Sequence, residues 1–184
     1  MTQLDSQDHA TQIITAKTTD FKELTRIMDE ANEYSRARSG EPAWKLKELA
    51  LSELHEHVKA GNCFVMKVDQ KIVATMTITD SDTFWGKPGT DGTALYVHKL
   101  MKHPGTHVRN VGLQFLSFAA HKAVQQHKEF LRCDTIATQK RLIDYYIRLS
   151  FVIKKHFVYL PSTRPGIFME VFVQDLLEQI DARM

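Results

Sequence analysis

The sequence predicts an α/β (α+β) chain with a mixed, mostly antiparallel central sheet flanked by helices. Three observations carry this. Residues 63–68 (CFVMKV) and 72–79 (IVATMTIT) read as a hairpin across Asp69-Gln70, and residues 93–101 (TALYVHKLM) extend it to a meander. A long amphipathic helix then joins that third strand to a further strand, and a helical crossover implies a parallel pair. Two more strands, 151–160 and 167–173, close the chain.

The remaining elements follow in order. Residues 12–16 form a short strand. Asp20 with Glu23 resembles a capping box, and Leu24, Ile27, Met28 and Ala31 then repeat at helical spacing. Residues 46–60 read as a second helix ended by Gly61. Residues 110–128 are the long helix, with Gln114, Ser117, His121, Gln125 and Lys128 on its polar stripe. CDTIAT, residues 133–138, is the strand after it. Residues 139–149 are a helix with Leu142, Tyr145, Tyr146 and Leu149 on its apolar face, and a short polar helix follows Gln174.

Composition agrees with one domain over residues 11–184, preceded by a flexible polar tail, residues 1–10. A chain of 184 residues that is 43% hydrophobic can bury a sizeable core. No linker, repeat or signal-peptide layout divides it, and no apolar run reaches membrane-spanning length. The net charge of +2 argues against a nucleic-acid partner. Cys63 and Cys133 each fall in a strand and outside any C-x-x-C, which fits a reduced, cytoplasmic chain.

The loop that opens the long helix is the feature with chemistry in it. Unpaired backbone N–H groups and the helix dipole at Arg109-Asn110-Val111-Gly112 make an anion site. An ordinary helix start is the bland alternative. His98, His103 and His107 lie near one another in sequence, but no carboxylate or thiol pattern joins them, and no metal is expected. Lys154, Lys155 and His156 read as a solvated strand edge. Trp44, Phe84 and Trp85 lie in or beside loops, where they line a pocket or cap the core.

Two motifs carry a resemblance. YVHKL…HP…RNVGLQ is similar to the strand and the Arg-x-x-Gly-x-Gly/Ala loop of the GNAT superfamily, the acyl-CoA-dependent N-acyltransferases. TQKRLIDYYIRLSF, residues 138–151, resembles that family's Asn-x-x-Leu-x-x-Tyr/Phe-Tyr-x-x-Leu-Gly-Phe helix. DTFWG, residues 82–86, is similar to a subgroup of bacterial members. The likeness spans roughly residues 11–173. It implies a GNAT fold with a splayed parallel strand pair and acetyl-CoA as co-substrate, without a metal. It also implies a primary-amine acceptor, small molecule or peptide. Oligomeric state stays open, a homodimer included.

The resemblance also implies roles. The backbone of Leu100, Met101 and Lys102 would pair with the pantetheine arm where the strands part. The N–H groups of Val108, Arg109, Asn110, Val111, Gly112, Leu113 and Gln114 would hold the pyrophosphate, with Gln139 near the pantetheine. Tyr146 matches the tyrosine that faces the thioester sulfur. His98 occupies a position where a base often stands, with Tyr96 in reserve on the same strand face. Each has a bland reading: Tyr146 as core, His98 as a satisfied inward histidine. Departures from the family pattern are Gln114 for Gly or Ala, Lys102 for Val, Gln139 for Asn and Ser150 for Gly. The loop from Pro104 to Gly112 is two residues longer than the common form. A protein that binds acyl-CoA without turnover is the alternative function.

Overall fold

The computed structural model describes residues 11–160 and 162–183. The expected tail, residues 1–10, lies outside the described residues. The elements are β1 (Thr11–Thr15), α1 (Phe21–Ser39), α2 (Lys47–Lys59), β2 (Cys63–Val68), β3 (Lys71–Thr79), β4 (Ala94–Lys102), α3 (Val111–Gln125), β5 (Phe130–Ile136), α4 (Lys140–Ile147), β6 (Val152–Tyr159), β7 (Arg164–Phe172) and α5 (Val173–Asp181). The strands form a seven-stranded sheet in the order β1-β2-β3-β4-β5-β7-β6. Only β4 and β5 pair in parallel; the other neighbours are antiparallel. This is the mixed α/β architecture expected.

The hairpin turns where expected. Asp69 and Gln70 both hold positive φ, 48° and 66°, as a two-residue turn between right-twisted strands requires. The parallel pairing runs from Ala94↔Phe130 to Val97↔Cys133 and stops there. Beyond it, β4 pairs only with β3 and β5 only with β7. A bulge accompanies the parting: Thr77 faces His98, yet Thr75 faces Met101, so β4 carries one extra residue. Lys99 takes up the kink with φ 48°.

Two cores sit on the two faces of the sheet. Leu95, Val97 and Leu131 meet Phe115, Leu116, Ala119 and Ala123 of α3 and Leu176 and Ile180 of α5. Tyr146 and Leu149 join this cluster. On the other face Val65 and Met101 meet Leu24, Ile27 and Met28 of α1 and Leu54 and Val58 of α2. Alternation along β4 therefore sends Leu95 and Val97 to one side and Tyr96 and His98 to the other.

Three sequence expectations need correction. Asp20 does not cap α1; its carboxylate accepts the Lys17 N–H and closes a short 3-10 turn, while Glu23 pairs with Arg26. β5 begins at Phe130 rather than Cys133, because the buried Arg132 is neutralised by Glu170 on β7. α5 is not a polar helix: it buries Val173, Leu176 and Ile180.

Candidate active site

The loop-to-helix junction borders a cleft of about 410 Å³. Its walls are Lys102 at the end of β4, Asn110–Leu113, Tyr145 of α4, Arg148 and Leu149 just past α4, and Arg183 past α5. Asn110 stands at the N-cap with a left-handed backbone, φ 54°. The first helical bond runs from the Gln114 N–H to the Asn110 carbonyl at 2.9 Å. The first-turn N–H groups of Val111, Gly112 and Leu113 have no intrahelical acceptor and point along the dipole. Three cationic side chains border the same space. The donor set is that of an anion site.

The other loop residues are turned elsewhere. The Val108 N–H donates to Thr106 Oγ1 at 3.3 Å, and Val108 packs against the core. The Arg109 carbonyl accepts from Gln114 Nε2 at 2.9 Å. Gln114 thus lies on the polar stripe beside Ser117 and His121, outside the cleft, with its own N–H already used by the helix. The Gln114 N–H, expected to face an anion, is thus the donor of the first helical bond. Gln139 Nε2 donates to Ser35 Oγ and Ser39 Oγ of α1, each at 3.3 Å. Leu100 packs on the α3 side and Met101 is buried on the α1 side. The edge of β4 that carries them is free of β5.

Tyr145, read from the sequence only as part of the apolar face of its helix, reaches the cleft. Its hydroxyl is buried and, among the described residues, has no hydrogen-bond partner. Burial pushes it up to about 12. A Cβ built on Gly112 would stand 2.8 Å from this hydroxyl, so glycine is what admits the tyrosine to the loop. Helical spacing places Tyr145 and Tyr146 side by side, and only packing separates their roles.

Tyr146 is buried, and its hydroxyl lies beside the Cys133 thiol. Burial pushes both groups well above their ordinary values. Cys133 is the last residue of β5 paired to β4, so Tyr146 meets the strands where they fork. Tyr96 is engaged elsewhere. Its hydroxyl donates to the Pro88 carbonyl at 2.6 Å and accepts from Arg132 at 2.7 Å.

His98 lies on β4 at the same fork, with its side chain 20% exposed. Its Nδ1 is 3.4 Å from Asp134 Oδ1 on β5, and its Nε2 is 3.7 Å from Asp82 Oδ2 in the loop after β3. His57 of α2 stacks on it with ring centroids 6.5 Å apart. Burial, Lys99 and His98 together hold the His57 imidazole below its usual value. Burial pushes Asp82 up. Burial also opposes the charge on Asp134, but His98 and the Tyr159 hydroxyl outweigh it and hold Asp134 low. Asp82, His98 and Asp134 are close enough to hold a metal ion. However, the imidazole turns opposite nitrogens to the two carboxylates, which is the geometry of a bridging ring. His103 is elsewhere, with Nδ1 3.0 Å from Glu30 of α1. Sequence reading missed Asp82, Asp134 and His57, because no local spacing links them to His98.

No helix among the described residues is long and apolar enough to cross a membrane. No curated protein matches the chain. Solved structures match over most of it. A GNAT-family acetyltransferase from Listeria monocytogenes 4b F2365 is 16% identical with a TM-score of 0.69, covering 88% of this chain and 94% of that one. The yncA protein of Salmonella typhimurium, solved with its cofactor acetyl-CoA, is 16% identical with a TM-score of 0.60, covering 89% and 94%. A ribosomal-protein-alanine N-acetyltransferase from Brucella melitensis is 13% identical with a TM-score of 0.61, covering 88% and 99%. At such identities the likeness is one of fold. The family model of the GNAT acetyltransferases matches residues 22–151, from the start of α1 to the turn after α4, and so takes in the fork and every wall of the cleft except Arg183. The chain belongs to the acetyltransferase (GNAT) family and is an acyltransferase.

Proposed function

We infer that the protein moves an acetyl group from acetyl-CoA to a primary amine by direct attack within a ternary complex. One observation carries this: a helix N-terminus with free donors opens beside the point where two parallel strands part. The first feature suits a pyrophosphate and the second an extended amide arm. Asn110–Leu113 would hold the anion, with Lys102, Arg148 and Arg183 at its border. The buried Tyr145 hydroxyl adds one uncommitted donor. The open edge at Leu100–Lys102 would pair with the pantetheine amides.

An amine arrives mainly as an ammonium and must lose a proton before it attacks. His98 lies at the fork, and an imidazole is the kind of group that takes up such a proton. Tyr146 would donate a hydrogen bond to the departing sulfur. A free tyrosine titrates near 10 and a thiol near 8.5, so full transfer is uphill by about 2 kcal/mol. Burial pushes Tyr146 further up, which widens that gap. Tyr146 is therefore a donor rather than an acid.

The test has two parts. Acetyl-CoA at 100 times its dissociation constant adds about 2.7 kcal/mol, or roughly 5–10 °C in melting temperature for a chain of this size. Desulfo-CoA should give most of that shift. Free CoA thiol is then measured across small amines, polyamines, aminoglycosides and peptide N-termini. No thermal shift at millimolar acetyl-CoA refutes the reading. A shift with no thiol release from any amine supports a binding protein instead.

A further inference from the structure

Asp134 holds its place through a contact that spans three strands. It lies on β5, one residue past the last position paired to β4. On the other side β5 pairs with β7, and β6 pairs with β7 beyond that. Tyr159 belongs to β6, yet its hydroxyl donates to Asp134 Oδ2. The ring crosses β7 over Gly166. A Cβ there would stand 2.7 Å from Tyr159 Cε2 and 2.3 Å from Phe157 Cζ. Only glycine leaves this passage open. Burial first, and the Asp134 charge second, push the Tyr159 hydroxyl far above its usual value, so it remains a donor.

The two oxygens of Asp134 are thereby divided. Oδ2 accepts the hydrogen bond of the Tyr159 hydroxyl, and Oδ1 faces His98 Nδ1 at 3.4 Å. A carboxylate held charged can only accept, so the proton of a neutral His98 belongs on Nδ1. Nε2 is then the basic nitrogen. It faces Asp82 Oδ2 at 3.7 Å. An ammonium nitrogen at ordinary hydrogen-bond distance, about 2.8–2.9 Å, can reach both atoms at once.

We propose that Asp134, held by Tyr159 across Gly166, is a positioning residue that keeps His98 in the Nδ1–H form with Nε2 directed at the acceptor amine. The proposal rests on the reading of His98 as base. In the step, one N–H bond of the ammonium breaks and its proton goes to Nε2. The amine keeps the electron pair, and the imidazolium stands between two carboxylates. Other charged or titratable groups around His98 are His57 and Glu53 of α2 and Lys99 beside it; Lys99 is paired to Glu53 at 2.6 Å. That pair is internally neutral, and His57 is held toward its neutral form. Asp82 and Asp134 therefore dominate the local field.

The amide variant separates positioning from mere packing. Asp134→Asn has one oxygen, and the Tyr159 proton claims it. The amide NH₂ then faces His98 Nδ1, which must become an acceptor, moving the proton to Nε2. The opposite amide orientation strands the Tyr159 proton in a buried place. Tyr159→Phe removes that claim, so the double variant Asp134→Asn/Tyr159→Phe lets the oxygen turn back to His98.

The experiment reads the His98 ring nitrogens by long-range ¹H–¹⁵N spectra of the full chain, above the imidazole titration. The expected result is Nδ1–H in the wild type, Nε2–H in Asp134→Asn, and return of Nδ1–H in the double variant. With an acceptor amine, Asp134→Asn should lose roughly 100-fold or more in kcat with KM for acetyl-CoA unchanged, and the double variant should recover part of it. A wild-type ring in the Nε2–H form, or Asp134→Asn with the wild-type tautomer and rate, overturns the proposal. Failure of the base reading looks different: His98→Gln would then keep the wild-type pH–rate profile while the spectra still report Nδ1–H.

Discussion

The Tyr146 hydroxyl lies beside the Cys133 thiol at the point where β4 and β5 part. Both are buried and both are pushed toward their neutral forms. A thiol sulfur accepts only weakly, so Cys133 does not commit the phenol proton. The hydroxyl can exchange that partner for a thioester sulfur at small loss.

Tyr146→Phe tests the exchange. It removes one donor to charge that develops only in the transition state. The turnover number should fall roughly 10- to 1,000-fold, while acetyl-CoA affinity stays nearly unchanged. Stability should change little, because the ring packing is kept and the neighbouring thiol is a weak acceptor. Full activity in the variant would return Tyr146 to the role of core packing.

Position 112 should respond far more than position 114. Gly112→Val introduces a Cβ 2.8 Å from the Tyr145 hydroxyl and crowds the anion cleft as well. CoA affinity measured by calorimetry should drop strongly. Gln114→Ala alters a side chain outside the cleft, on the polar stripe, and should stay within a few-fold of wild type. Tightening by orders of magnitude in Gln114→Ala would contradict the observed side-chain direction.

Ser150→Gly should stabilise the fold. Ser150 ends the turn after α4 with φ 67°, where a side chain costs roughly 1–2 kcal/mol. The greater freedom of glycine in the unfolded chain offsets roughly 0.5–1 kcal/mol of that. Differential scanning calorimetry should show a rise of roughly 1–3 °C. A lower melting temperature would mean that the Ser150 side chain contributes more than its strain removes.

The two carboxylates beside His98 should affect stability with opposite sign. Burial raises the folded pKa of Asp82 above its unfolded value. Its contribution is therefore present below the unfolded pKa, near 4, and is lost as pH rises through the folded one. Asp82→Asn keeps an acceptor for the Phe84 N–H, observed at 2.9 Å, and removes the buried charge. The melting temperature should rise at neutral pH and not below about pH 4. Asp134 is the reverse case, held low by His98 and Tyr159 against burial. Its stabilisation is present above the unfolded pKa and fades as pH falls through the folded one. Asp134→Asn should lower the melting temperature at neutral pH and converge with wild type in acid. Equal effects at both pH values in either variant would contradict these shifts.

Local patterns determined much of this protein. The α3 stripe, the Asp69-Gln70 hairpin and the strand–helix–strand crossover are written in residues a few positions apart, and each forms where the pattern places it. The two motifs that resemble the family also fall on the elements they imply, the first on β4 and α3 and the second on α4. Tertiary structure decided the rest, because the deciding contacts join residues far apart in the chain. Arg132 is accommodated at a buried strand position by Glu170, which lies opposite on β7. Asp20 could cap a turn or a helix, and the Lys17 N–H reached it first. Tyr145 and Tyr146 are equivalent by helical periodicity, and packing alone sends one hydroxyl to the cleft and the other to the fork. Asp82 and Asp134 come to His98 from a loop and a neighbouring strand. No period in a sequence records which side chains a sheet will bring together across its strands; register and burial do that.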